Sequence, residues 1–106
     1  MNQERIDQLK AFLAEDPNDA FTKYALAMEY LESEPQLSLE YFENLLKNHP
    51  EYQGTYYHAG ALYAELDQRD LAEDTYQKGI ALAQQNGNTH ALRELQTAYT
   101  NFQFDE

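Results

Sequence analysis

Apolar residues recur at helical spacing in six stretches, separated by short clusters of Pro, Asn, Asp and Gly. The clusters are Asp16-Pro17-Asn18-Asp19, Ser33-Glu34-Pro35, Asn48-His49-Pro50, Asp67-Gln68-Arg69-Asp70 and Asn86-Gly87-Asn88. Each closes one periodic run and opens the next. The pattern predicts six helices, roughly 3–15, 19–32, 36–48, 52–66, 69–84 and 89–102. Linkers of a few residues make successive helices antiparallel neighbours. In the first turn Asp16 ends a helix, Pro17 blocks its continuation, and Asn18 or Asp19 caps the next.

The stretches are not independent. Pro17 to Pro50, Tyr24 to Tyr57, Ala27 to Gly60 and Tyr30 to Tyr63 are each 33 residues apart. Leu37 to Leu71, Ser38 to Ala72, Phe42 to Tyr76 and Leu46 to Ile80 are each 34 apart. One residue of slack therefore falls near Glu34-Pro35, and the rest of a two-helix unit repeats in register. The second unit reads Tyr56-x2-Ala59-Gly60-x2-Tyr63 and then Ala72-x3-Tyr76. The first reads Lys23-x2-Leu26-Ala27-x2-Tyr30, then Ser38-x3-Phe42 and Pro50.

This pattern resembles the tetratricopeptide repeat family. The departures are Lys23 at a bulky position and Gln84 where the second unit's proline would stand. The resemblance implies an all-α, right-handed solenoid of antiparallel helix hairpins. It would comprise an N-terminal cap helix in residues 1–16, repeats at 17–50 and 51–84, and a C-terminal cap helix at 88–102, all in one domain. Small residues (Ala27, Gly60, Ser38, Ala72) stand where two helix backbones must approach, with Tyr30, Tyr63, Phe42 and Tyr76 filling the space beside them. In the last helix Leu92, Leu95 and Tyr99 keep the apolar stripe. Gln96 replaces the small residue there, as suits a terminal cap with a polar outer face.

Composition agrees with helices. Valine is absent and isoleucine occurs twice, against fourteen Leu and thirteen Ala, which starves strands. Cysteine is absent, which excludes disulfides, thiolate zinc sites and thiol catalysis. The net charge is −12 and the seven basic residues are scattered singly. A phosphate backbone or an acidic lipid surface is therefore disfavoured, and no nucleic-acid or membrane partner is expected. With no apolar run approaching the ~20 residues of a membrane span and no signal-peptide pattern, a cytoplasmic location is expected.

Candidate chemistry is sparse. The four glycines form no phosphate-cradling loop, and Ser33 and Ser38 lack a nucleophile-elbow context. His49, His58 and His90 are far apart, and the Asp16-Asp19 turn lacks the glycine and glutamate of a calcium loop. No enzyme activity, cofactor or metal is expected.

A second apolar line, Phe21, Tyr24, Met28 and Leu31, runs along the second helix at i, i+3, i+7 and i+10. Its equivalents are Gly54, Tyr57, Ala61 and Ala64, then His90, Arg93, Thr97 and Thr100 in the last helix. By the family resemblance this line faces a concave groove that binds peptides. The peptide-binding set is then Phe21, Tyr24, Met28, Leu31, Tyr57, Ala61, Ala64, Arg93 and Thr97. Family members that grip chaperone C-termini hold the carboxylate with Lys, Asn and Arg. Here Tyr24, Met28, His58 and Ala61 occupy those places, so an acidic C-terminal peptide does not fit. The expected partner is a protein or peptide segment, apolar with basic flanks, held in a scaffold or adaptor role. The alternative is a homodimer formed through Met28 and Leu31 or through the tail Phe102-Gln103-Phe104.

Overall fold

The computed structural model describes residues 2–105. Those residues form α1 (Gln3–Glu15), α2 (Ala20–Tyr30), α3 (Pro35–Asn48), α4 (Gly54–Glu65), α5 (Arg69–Asn86) and α6 (Thr89–Phe104), with no strand among them. The expected class, an all-α repeat of helix hairpins, is the one observed. The chain divides into two compact units, Met1–Tyr52 and Gln53–Glu106.

In the first unit Asn2 caps α1 by accepting from the Arg5 N–H. Between Asn18 and Asp19, the cap of α2 is Asp19. Its carboxylate accepts from both the N–H and the hydroxyl of Thr22, satisfying one of the donors a helix start leaves open. Ile6 and Leu9 of α1 bury against Ala25, Leu26 and Tyr30 of α2, with Leu13, Leu37 and Tyr41 packed beside them. The α2–α3 hairpin closes tightly. Ser38 is fully buried and its hydroxyl donates to the Ala27 carbonyl at 2.6 Å, an approach that a larger side chain at either position would prevent. His49 ends α3, its N–H donating to Leu45 O, and Pro50 follows.

In the second unit, Gly60 and Gly79 do the corresponding work between α4 and α5. A Cβ on Gly60 would lie 2.7 Å from the Tyr76 ring, and one on Gly79 would lie 2.4 Å from Tyr56 Cβ. Here α5 runs through Gln84 to Asn86, because no proline interrupts it. It stops at Gly87, whose φ of 66° is the left-handed conformation that favours glycine. The Gly87 and Asn88 N–H groups turn back onto Ala83 and Gln84 carbonyls. Asp67, at φ 61°, makes a similar left-handed stop after α4. Tyr63 to Leu71 is one residue longer than Tyr30 to Leu37, so the slack read near Glu34-Pro35 is an extra residue in the counterpart of that turn, here after α4. The last helix, α6, packs on α5 and α4 through buried Leu95 and Phe102. Phe102 lies 5.7 Å from the Tyr76 ring, and the Arg69 guanidinium sits 4.2 Å above it while donating to its carbonyl.

Candidate peptide-binding surfaces

The sequence-predicted line on α2 is uneven in exposure. Phe21 is 60 % exposed, whereas Tyr24, Met28 and Leu31 are half-buried. Tyr24 is held by two rings of its own unit, edge-on to Phe42 at 6.4 Å and tilted on Tyr52 at 5.5 Å. Packing therefore accounts for part of what periodicity assigned to binding. Burial, with Asp19 nearby, raises the Tyr52 phenol above its ordinary pKa.

In the second unit the predicted residues come together. Tyr57 of α4, 40 % exposed, borders two adjoining clefts. One, of about 410 Å³, is lined on α6 by His90, Arg93, Glu94, Thr97 and Asn101. The other, of about 480 Å³, has Ala61 and Ala64 in its wall, with Glu65 and Asp105 at its margin and Phe102 and Tyr76 beneath. Small side chains on α4 thus leave room that α6 frames with polar groups. Burial, reinforced by Tyr57 and Glu65, raises the Tyr76 pKa, so its hydroxyl stays a donor at neutral pH.

The α6 wall differs from the sequence expectation, with Glu94, Ala98 and Asn101 joining it and Thr100 outside it. Asn101 lines both clefts where Thr100 was expected. The spacing 90, 94, 97, 101 follows the 3.6-residue period as closely as 90, 93, 97, 100, and only the helix orientation chooses between them. His58, next to Tyr57 and in edge contact with it at 5.2 Å, is half-buried. Burial lowers its pKa, opposed by Glu94. His90 and Glu94 are 3.4 Å apart, an exposed i,i+4 pair of small energetic value. Among the described residues no group of three His, Cys, Asp or Glu side chains could hold a metal ion. None of their helices is long and apolar enough to cross a membrane.

Two helix hairpins in register, each closed by small residues under an aromatic, place the chain in the class of helix-hairpin repeats. Comparison with known proteins narrows that class. A tetratricopeptide repeat domain protein from Salinibacter ruber is similar over 83 % of this chain and all of its own in a crystal structure, at 45 % identity and a TM-score of 0.79. Its solution structure is 46 % identical over 82 % of this chain and 89 % of its own, at a TM-score of 0.76. The chain belongs to the tetratricopeptide repeat family. The solution structure of a Bordetella parapertussis protein shares the fold, at 22 % identity, 92 % and 85 % coverage and a TM-score of 0.77. No protein-family model and no curated protein matches the chain.

Proposed function

We propose that this chain is a non-enzymatic protein-interaction module that takes a partner segment on the α4–α6 surface of its second unit. Membership of a repeat family supports the general role. The particular site rests on one observation, the half-exposed Tyr57 ring between two adjoining clefts. Ala61 and Ala64 offer an apolar floor, the Tyr57 hydroxyl and Thr97 can meet a peptide backbone, and Arg93 stands on the far wall. Glu65 and Asp105 at the margin, in a molecule of net charge −12, suit an apolar anchor flanked by Lys or Arg. The α2 line, from Phe21 through Tyr24 and Met28 to Leu31, is the corresponding surface of the first unit.

Titration of labelled protein with short peptides carrying Leu between Lys residues tests this site. Saturable shifts are expected at Tyr57, Ala61 and Thr97, and Tyr57→Ala should weaken binding by about 1.5–3 kcal/mol, the value of burying one large side chain. Shifts confined to α5, or tighter binding of the same peptides with Glu flanks, would overturn it. A homodimer is the second reading, favoured by Phe104 at 84 % exposure at the end of α6. Sedimentation at micromolar concentration, with Phe104→Ser for comparison, decides it.

A further inference from the structure

The first unit contains a cleft of about 500 Å³ that the peptide-binding surfaces do not use. Its apolar side is Leu13 and Leu37. Its polar side is Glu40, Asn44 and Asn48, four residues apart along one face of α3, with Tyr41 beside them, Asn18 from the α1–α2 turn and Lys23 from α2. A volume of this size holds a small ligand.

Lys23 is the telling residue. It is 94 % buried, being 6 % exposed, yet no carboxylate of the described residues lies within 4 Å of its ammonium. The hydrogen bond it makes runs from Nζ to His49 Nε2 at 3.2 Å. An ammonium can only donate, so that nitrogen accepts and the ring proton sits on Nδ1, which faces Glu51 at 3.8 Å. Two of the three ammonium donors have no acceptor among the described residues. The negative end of the α3 dipole is partial compensation, but a buried charge calls for a counter-charge. A cleft lined by that lysine and three carboxamides has the chemistry to accept a carboxylate.

The far end of the same cleft carries the opposite sign. Glu40 and Asn48 are eight residues apart on α3, about 12 Å along the axis, and Lys23 reaches the Asn48 end through His49. A ligand spanning the cleft thus meets a cation at one end, a carboxylate at the other and amide side chains between. A net-neutral ligand also escapes the repulsion that a −12 molecule imposes on a free anion. We propose that this cleft binds a small linear zwitterion about 10 Å long, with its carboxylate at Lys23 and its ammonium at Glu40. An extended tripeptide, at ~3.3–3.6 Å per residue, and a long ω-amino acid both have this chemistry. Asn44 and Asn48 would read the amides of the first, and Leu13 and Leu37 would cover the methylenes of the second.

The test is a titration of the full chain with trialanine and with 8-aminooctanoate, observed by NMR at roughly 10 mM, where binding as weak as about 4 kcal/mol still registers. Saturable shifts of the Asn44 and Asn48 side-chain amides are expected with at least one probe. Shifts with trialanine alone identify a peptidic ligand, and shifts with both identify the charge separation as the feature recognised. Trialanine amide, which lacks the carboxylate, should bind about tenfold more weakly than trialanine, and Lys23→Met should weaken whichever probe binds by about as much, tenfold being about 1.4 kcal/mol. If Lys23→Met fails to fold, Asn44→Ala, a change at an exposed position, should still weaken binding severalfold. No saturable shift with either probe, or equal affinity for trialanine and its amide, would overturn the proposal.

Discussion

The two repeats carry the same register with different chemistry, and the difference shows what the register demands. At the bulky position of the first helix, unit one has Lys23 and unit two has Tyr56, both buried. The residue that faces this position across the unit-two hairpin is Gly79, whose unit-one equivalent, 34 residues earlier, is Leu45. A thin side chain goes with a large opposite number, and a broad ring goes with none at all. What the register demands is that the broad ring meet no side chain opposite it, since two bulky groups at one close contact would overpack. Polarity is free to vary, and the variation leaves an ammonium buried in one unit and a phenol in the other.

Breaking this compensation should give the largest effect. In Gly79→Ala the new Cβ falls 2.4 Å from Tyr56 Cβ and 3.2 Å from Leu95 Cδ1, so α4 and α6 must both yield. A loss of about 1–3 kcal/mol is expected by urea denaturation, even after the ~1 kcal/mol that alanine gains over glycine in helix propensity. In a Tyr56→Gly background the same substitution should cost far less, since the Tyr56 Cβ that it strikes has gone. Equal costs in both backgrounds would mean that Tyr56 and Gly79 are not a matched pair.

The helix starts differ in a second way. Buried threonines stand in register at Thr22 and Thr55. Thr22 gives its hydroxyl to the Asp19 carboxylate, but the place of Asp19 is taken in unit two by Tyr52, and Thr55 Oγ1 is buried with no partner among the described residues. The two helix starts should therefore respond to loss of a polar group with opposite signs. Asp19→Ala removes a cap and should cost about 1 kcal/mol. Thr55→Val removes an unsatisfied hydroxyl and should stabilise by up to about 1 kcal/mol. Destabilisation by Thr55→Val would show that the hydroxyl has an acceptor after all.

These pairs also mark what the chain discloses as a string. Apolar period and turn residues sufficed to place six helices, because they point the same way, and the 33- and 34-residue spacings joined four of them into two units. Gly60 was recognised as a contact from its place in the motif, whereas Gly79 was not, because the motif read in the chain passes from Tyr76 to Gln84 and the role of Gly79 depends on Tyr56 across the hairpin. The partial packing of Tyr24 escaped periodicity for the same reason: Tyr52 meets it from the turn after α3. Asn101 displaced Thr100 from the cleft wall because helix rotation is set by Leu95 and Phe102, not by the polar residues themselves. The Lys23 cleft was invisible, since a lysine at a bulky position reads as a departure until its burial is known.

The turn that carries the extra residue offers a smaller, cleaner comparison. The α2–α3 turn has no left-handed residue among those described, while the α4–α5 turn holds Asp67 at φ 61°. Asp tolerates this conformation better than most residues, but glycine adopts it without a Cβ penalty. Asp67→Gly should raise the thermal midpoint slightly, by about 0.5 kcal/mol in stability. The gain is trimmed because glycine also loosens the unfolded chain. The same change at Glu34, which has ordinary negative φ, should destabilise. If both substitutions shift the midpoint alike, the extra residue is not absorbed at Asp67.

The smallest expected effect concerns pH. His58 stands in register with Ala25 of unit one, so one unit has a half-buried imidazole where the other has a methyl group. Burial lowers the His58 pKa in the folded state, and the opposing pull of Glu94 does not restore it. The sign follows from linkage. Above the unfolded value near 6.5 the ring is neutral in both states and costs nothing. As the pH falls below that value the unfolded chain takes up the proton first, so stability declines until the folded pKa is passed. His58→Ala, which copies Ala25, should abolish this decline. The carboxylates titrate at lower pH and remain in both proteins, so the difference between wild type and variant isolates the ring. Denaturant midpoints measured between pH 7.5 and about 5 should diverge on the acid side, with the wild type falling relative to the variant. Parallel curves would mean that Glu94 cancels the effect of burial, and a variant that loses more on acidification would mean that Glu94, not burial, governs the ring.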